Sequence, residues 1–321
     1  MNELEIIDTI RRVFGASVKD RGLYDDVATI AVNRHSLMLK VDMFVADSDM
    51  PSKMTLKQAA RKAVISCLSD FAVKGAKAEG FMVSLALPRS ISNRKQVEEI
   101  VQGLKQASDE FSLKLIAGDV NESKSLTIDC IVYGQSGTNT NITRAGAKPG
   151  DIVISTGPFG YTALGLKHLL EGFPLPLRIR KKCVDSVLNP NPPFELTREI
   201  AKSGLVNASM DSSDGLAITL YEIAQQSGVA ITVSDLPTDT ELINSGIDKR
   251  IIKNSIFFGG EEYSGIFTLH AQTFSQVEQI ARSLNSKIYK VGYVEKGEGV
   301  SFMDGSRIEK KGWIHLSNAH Q

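Results

Sequence analysis

Six aspartates, Asp26, Asp42, Asp70, Asp119, Asp211 and Asp214, each stand where an apolar segment begins or ends. A carboxylate at the edge of a core must find a partner, because an isolated buried charge is prohibitively costly. Arginines are not supplied in equal number near these positions, so divalent cations are the expected partners. The densest case is Met210-Asp211-Ser212-Ser213-Asp214-Gly215-Leu216, which joins an apolar run to a helical pattern. Alone, this stretch reads equally as helix capping, since Asp and Ser side chains accept from the free N–H groups of a first turn. Repetition of the acidic pattern along the chain favours hard oxygen ligands, which suit Mg²⁺.

The chain has 321 residues, long for a single core, so two domains are expected. Lys plus Arg and Asp plus Glu number 37 each, which argues against a nucleic-acid or anionic-membrane binder. Cys67, Cys130 and Cys183 are far apart and read as buried small hydrophobes in a reducing compartment. The acidic opening Met1-Asn2-Glu3-Leu4-Glu5 lacks the order of a signal peptide, and no apolar run reaches the ~20 residues of a membrane helix. A cytoplasmic protein is expected.

Helical spacing predicts helices over 6–14, 55–68 and 95–111, the second with Thr55 as its cap and its apolar residues on one face. Strands are predicted over 29–32, 36–45, 81–87, 113–117 and 126–133, with Gly118-Asp119 ending the fourth. The segment 134–150 is rich in Gly, Ser, Thr and Asn and marks a boundary. We therefore expect a mixed α/β (α+β) protein with domains over 1–137 and 138–321. In the second, strands are predicted over 151–156, 229–233, 266–269 and 287–293, and helices over 161–170, 195–203, 215–227 and 273–284. Gly157-Pro158-Phe159-Gly160 is a tight turn that lacks the order of a phosphate-binding loop.

Zinc and histidine chemistry find no support, since the five histidines are scattered and form no H-E-x-x-H. The G-x-S-x-G of a serine nucleophile is absent. What remains are acid-rich and Gly-rich turns, which suit phosphoryl transfer, a reaction driven by positioning and charge neutralisation.

An ordered set of motifs now becomes specific. Asp25-Asp26-Val27-Ala28, Val41-Asp42, Leu68-Ser69-Asp70-Phe71-Ala72, Ala117-Gly118-Asp119, Thr143-Arg144-Ala145-Gly146, Met210 to Leu216 and Gly259-Gly260-Glu261-Glu262-Tyr263 follow one another along the chain. The series resembles the thiamine-monophosphate kinase family of the aminoimidazole-ribonucleotide-synthetase superfamily. The resemblance implies a homodimer that pairs through the strands of its N-terminal domain. It also implies ATP-dependent phosphorylation of thiamine monophosphate to thiamine diphosphate with several Mg²⁺ ions. Carried over by position, Asp26, Asp42, Asp70, Asp119, Asp211 and Asp214 would hold metal. Phe111, Gly118, Asp119, Arg144 and Ser213 would contact ATP, and Asp49, Glu261 and Trp313 the substrate. An aromatic face such as Trp313 suits a cationic thiazolium ring; the alternative is a core aromatic closing the second domain.

The chain departs from the family pattern at Tyr24, at Lys40-Val41, at Phe111, at Pro190-Asn191-Pro192-Pro193 and at Glu262. If 36–45 is one strand, Lys40 and Asp42 share a face while Leu39, Val41 and Met43 face the core. The Lys40 ammonium then either replaces a metal beside Asp42 or snorkels to solvent. Two other readings compete: another ATP-using enzyme of the superfamily, and a non-catalytic ligand-binding dimer of the same fold. The redox residue of the selenophosphate branch has no counterpart before Cys67, and the cysteine ending the hydrogenase-maturation branch is replaced by Ala319-His320-Gln321.

Overall fold

A computed structural model of the protein describes residues 2–14, 24–32, 35–135 and 142–316. Residues 33 and 34 of the expected hairpin turn and 136–141 of the boundary segment lie outside that range. Helix α1 (Glu3–Val13) opens the chain, and Asn2 and Glu5 close its first turn as a reciprocal capping box. A five-stranded sheet follows in the order β1-β2-β5-β3-β4, built from Ala28–Val32, His35–Val45, Lys77–Leu87 (β3), Lys114–Glu122 (β4) and Thr127–Gln135 (β5). Only β3 and β4 run parallel, and helix α4 (Arg94–Glu110) crosses between their ends. A short helix α2 (Ala46–Asp49) follows β2, and the long helix α3 (Leu56–Val73) lies across the sheet.

The second sheet has six strands in the order β11-β8-β10-β6-β9-β7. They are Asp151–Ser155 (β6), Val206–Ser212 (β7), Ala230–Val233 (β8), Ser264–His270 (β9), Tyr289–Glu295 (β10) and Gly299–Phe302 (β11). Around them run α5 (Tyr161–Glu171), α6 (Leu177–Leu188), α7 (Phe194–Lys202), α8 (Leu216–Ser227), the short α9 (Thr240–Ile243), α10 (Lys249–Phe258) and α11 (Phe274–Ser283). The mixed α/β architecture with two sheets is the one expected. Among the described residues no helix is long and apolar enough to cross a membrane.

Three expectations need correction. Thr55 does cap α3, in a capping box with Gln58, but the helix is buried on all sides rather than on one face. Val187 of α6 joins the N-terminal core beside α3, and Val73 at the end of α3 joins a core made by the second domain. Strand β4 does not stop at Gly118-Asp119; its pairing with β3 continues to Leu87 opposite Glu122. On β2 the faces are reversed: Met38 and Phe44 are buried toward α3, whereas Val41 and Met43 are 59% and 57% exposed. The alternation holds, but alternation alone does not say which face the helix covers.

Helix α6 and helix α10 were missed. In α6 only Ile179, Cys183 and Val187 are buried, a stripe one residue wide among basic side chains, and so narrow a stripe is a weak helical signal. Strand β11 was missed because four residues at a sheet edge carry too little period to read.

Helices α3 and α4 touch closely at Gly103, where a Cβ would lie 2.1 Å from the carbonyl oxygen of Lys57. Gly103→Ala must push the two helices apart and is expected to destabilise the protein by about 1–3 kcal/mol. Urea unfolding measures this; an unchanged midpoint would show that the contact yields without cost.

Candidate functional site

Helix α3 carries Arg61, Lys62, Asp70 and Lys74, the last just past its end, all buried. Charges on a helix buried all round need partners from whatever packs against it, and those partners define the site. Asp26, just before β1, Asp70 on α3 and Asp211 on β7 each bring a carboxylate oxygen to within 4.8 Å of the others. All three side chains are buried. The strand, the helix and the second-domain strand thus converge on one acidic point between the two sheets.

This chain supplies its own cations there. Lys74 Nζ lies 2.7 Å from Asp25 Oδ1 and 2.6 Å from Asp26 Oδ2, and donates to the carbonyl of Ser209 at 2.9 Å. Two carboxylates and one carbonyl thus surround the ammonium. Arg144, in the segment entering the second domain, places Nε 2.6 Å and Nη2 2.5 Å from Asp26 Oδ1. Lys40 reaches in from β2, with Nζ 2.9 Å from Asp70 Oδ2. Ser69 donates to Asp211 Oδ2 at 2.7 Å.

The carboxyls titrate far apart for definable reasons. Burial pushes Asp211 up to about 6, reinforced by the charge of Asp26 and opposed by Lys40. Burial also raises Asp214 to about 7, with Glu3, Asp211 and Asp42 adding to the rise. Asp70 is raised by burial and by Asp211 despite Lys40. Burial would raise Asp26 as well, but Arg144 and Lys74 outweigh it and hold the group below the usual carboxylate range.

The turn after β7 places the second acid. Ser212 ends the strand, and helix α8 begins at Leu216 with Gly215 as its cap and no side chain capping it. The acids and serines of this turn therefore do not serve as that helix's cap. Gly215 has φ of 112°, and a Cβ there would lie 2.5 Å from the Gly259 carbonyl oxygen. At Gly260 a Cβ would lie 2.6 Å from the Ser213 carbonyl oxygen. Only glycines let these two turns close on each other. The closure is sealed by Glu261 N–H donating to Ser213 O at 2.6 Å and Tyr263 N–H to Ser212 O at 3.0 Å.

The tail of the chain returns to the same turn. Trp313 N–H donates to Asp214 O at 2.9 Å, and the ring is 36% exposed, so it is not a core aromatic. Its edge meets His315, with ring centroids 5.8 Å apart. His315 N–H donates to Glu3 Oε2 at 3.1 Å, which brings the start of α1 to the site.

Two expected substrate residues meet at a lysine that sequence reasoning missed. Buried Lys62 Nζ donates to the Asp49 carbonyl at 3.2 Å and pairs with Glu261 Oε1. The Asp49 carboxylate itself accepts from Val45 N–H at 2.7 Å. Glu261 Oε2 and Glu262 Oε2 are buried without a hydrogen-bond partner among the described residues, and burial raises Glu262 strongly. Lys62 and Lys74 lie eight residues before and four after Asp70. That helical spacing was the signal available for finding them.

The other expected residues do not join the triad. Asp42 faces the same side as Lys40, and its charge acts on Asp70 and Asp214, but it is not one of the three clustered carboxylates. Gly118 and Asp119 sit on β4, a strand exposed along its length at the sheet edge. Phe111 ends α4, and its ring contacts Phe194 edge-on at 5.5 Å. The site thus draws on both domains: a buried acid triad with resident cations, and a closed pair of glycine turns beside an aromatic.

Comparison with known proteins covers the whole chain. Residues 24–136 match the family of AIR synthase related protein, N-terminal domain, and residues 148–305 match its C-terminal domain. The thiamine-monophosphate kinase of Nitrosopumilus maritimus (strain SCM1) is 33% identical over 98% of this chain and 99% of its own length. A solved structure of AaThiL complexed with AMPPCP and TMP superposes with a TM-score of 0.85 at 27% identity, covering 98% of this chain and 97% of the other. The thiamine monophosphate kinase from Aquifex aeolicus gives 0.79 at 26% identity, covering 96% of this chain and 100% of the other. A likeness that runs the length of the chain, in both domains and at this identity, places the protein in the thiamine-monophosphate kinase family of the AIR synthase related proteins.

Proposed function

We propose that the protein transfers the terminal phosphoryl group of ATP to thiamine monophosphate, giving thiamine diphosphate. The observation that carries this reading is the buried triad Asp26, Asp70 and Asp211 at the junction of the two domains. Supporting it are the full-length kinase relatives and the related structure that carries AMPPCP and TMP.

Both reactants are polyanions, so the site must cancel charge before it can align them. Carboxylate oxygens within 4.8 Å of one another are a hard donor set that fits Mg²⁺. Asp70 and Asp211 would hold the ion, with Asp26 and, from the neighbouring turn, Asp214 beside them. The ion would supply neutralisation of phosphate charge. Arg144 presents a guanidinium suited to forked contact with phosphate oxygens, and Ser213 would contact the nucleotide from the turn that carries Asp214. The partly exposed Trp313 offers a ring face for a cationic thiazolium. Lys62 holds Asp49 and Glu261 together across the domain boundary, which fixes the far wall of the substrate side. The acceptor is a phosphate oxygen already largely ionised near neutral pH, so these residues need to bind and orient rather than remove a proton. Gly118, Asp119 and Phe111 would bear on the nucleotide from the first domain.

Homodimerisation belongs to the same proposal. Ile30, Val41 and Met43 are each about half exposed on the sheet face turned away from α3. Exposed apolar residues gathered on one sheet face are the kind of surface that serves as an interface. Light scattering is expected to give twice the chain mass; a monomer at micromolar concentration would remove the interface from the reading.

Purified protein with ATP, Mg²⁺ and thiamine monophosphate is expected to form thiamine diphosphate, and excess chelator to stop it. Asp211→Asn should lower kcat by about 100-fold or more, since a metal's several kcal/mol of charge stabilisation is lost. Formation of ADP without thiamine diphosphate would favour a different ATP-using member of the superfamily.

The titrations give a pH signature. Asp211 at about 6 and Asp214 at about 7 are raised above their unfolded values. Such groups add stability at low pH that is lost as pH rises through the folded value. The metal needs the ionised form, so protons compete with it below those values. The thermal stabilisation by Mg²⁺ should therefore be larger at pH 8 than at pH 6. An equal or reversed shift would take these two acids out of the metal site.

A further inference from the structure

The acid triad is not left bare for a metal to fill. Asp26 already has two cations, Lys74 at 2.6 Å and Arg144 at 2.5 Å. Asp70 has Lys40 at 2.9 Å. Only Asp211 is held by a neutral group, Ser69. The Lys40 side chain is 24% exposed, and it approaches from β2, which also carries Asp42 on the same face. Its ammonium therefore does not run to solvent, and it does not pair with its strand neighbour Asp42. It crosses to Asp70 on α3, one of the three carboxylates whose oxygens converge.

A protonated amine cannot ligate a metal, and it repels one placed beside it. A carboxylate oxygen engaged by an ammonium at 2.9 Å is also a poorer ligand. We infer that Lys40 is a tethered cation of the phosphoryl-transfer site, standing where a divalent ion would otherwise bind Asp70. The protein would then assemble its site with one ion fewer per chain than its carboxylates could hold. This rests on the metal-dependent kinase reading above. It goes beyond that reading by assigning part of the charge neutralisation to the chain itself. Lys74 is not an equivalent candidate, because its three partners tie β7, α3 and the 25–26 turn together and it is buried.

The test counts ions with Mn²⁺ as the probe, by the paramagnetic resonance of free Mn²⁺ over the intact protein without nucleotide. The variants are Lys40→Met, close in length and uncharged, Lys40→Thr, which also clears the space, and Lys40→Arg, which keeps the charge. Thermal melts confirm that each is folded and report the shift on adding Mn²⁺. One additional bound Mn²⁺ per chain is expected in Lys40→Met and Lys40→Thr, or the weakest existing site tightened roughly tenfold, the size of a strong coupling within one ion-pair network. Both variants should lose melting temperature without metal and regain it with Mn²⁺, by more than the wild type gains. Lys40→Arg should follow the wild type.

If the wild type binds Mn²⁺ and the neutral variants bind the same number with the same affinity, Lys40 is structural and the inference fails while the kinase reading stands. If neither wild type nor variants bind Mn²⁺, both fail. Should Lys40→Met not fold, Lys40→Thr decides by the same count. Should neither neutral variant fold even with Mn²⁺ present, an ion cannot replace the ammonium, and the inference is overturned.

Discussion

Helix α3 has to bury both signs of charge, and the molecule is arranged around that requirement. Arg61, Lys62, Asp70 and Lys74 are all removed from water on or at the end of one helix. Losing the hydration of a single such group costs several kcal/mol unless a partner replaces it. The partners come from everywhere the helix touches. Arg61 reaches Glu110 on α4 and the Pro190 carbonyl of the second domain. Lys62 reaches Asp49 and Glu261, Asp70 is met by Lys40, and Lys74 meets Asp25, Asp26 and Ser209. The two domains are thus joined by ionic contacts through the same helix that presents Asp70 to the site.

The arrangement explains how a crowd of acids can persist between two cores. Asp26 is held ionised by two cations, whereas burial raises Asp211 and Asp214 toward neutral pH. One acid is thus permanently charged, and others become charged when something compensates them. A site of this kind binds a cation and a polyanion together more readily than either alone, because each offsets the field the other meets. The glycine turns at 215 and 259–260 bring two backbone segments of the second domain into contact next to Asp214. The cost of that approach falls on conformational entropy rather than on contacts.

The order of the acidic and glycine-rich motifs was legible as a list, and it identified the chemistry. Its spatial sense was only partly legible. The pattern of β2 showed that Lys40 and Asp42 share a face, but not that this face turns toward α3. That depends on which side of the sheet the helices cover, a fact held in no single strand. Lys62 and Lys74 were passed over because a lysine in a helical pattern ordinarily points to solvent. Here the second domain removes the solvent. Asp119, equivalent to the other acids in the sequence, lies on an exposed edge strand and is not one of the three clustered carboxylates.

By itself, then, the sequence determined the alternation of elements, the two-sheet mixed α/β architecture and the residues rich enough in negative charge to demand cations. Those follow from local periodicity, turn chemistry and the cost of stranded carboxylates, which act over a few residues. Tertiary structure alone decided which acids meet and which cations they meet. It set Asp26, Asp70 and Asp211 together from three elements up to 185 positions apart. It also turned Lys40 inward and made a lysine at the end of α3 the link between domains. Electrostatic partnership is fixed by distance and dielectric. Both come into being only when the two sheets close on the helix between them.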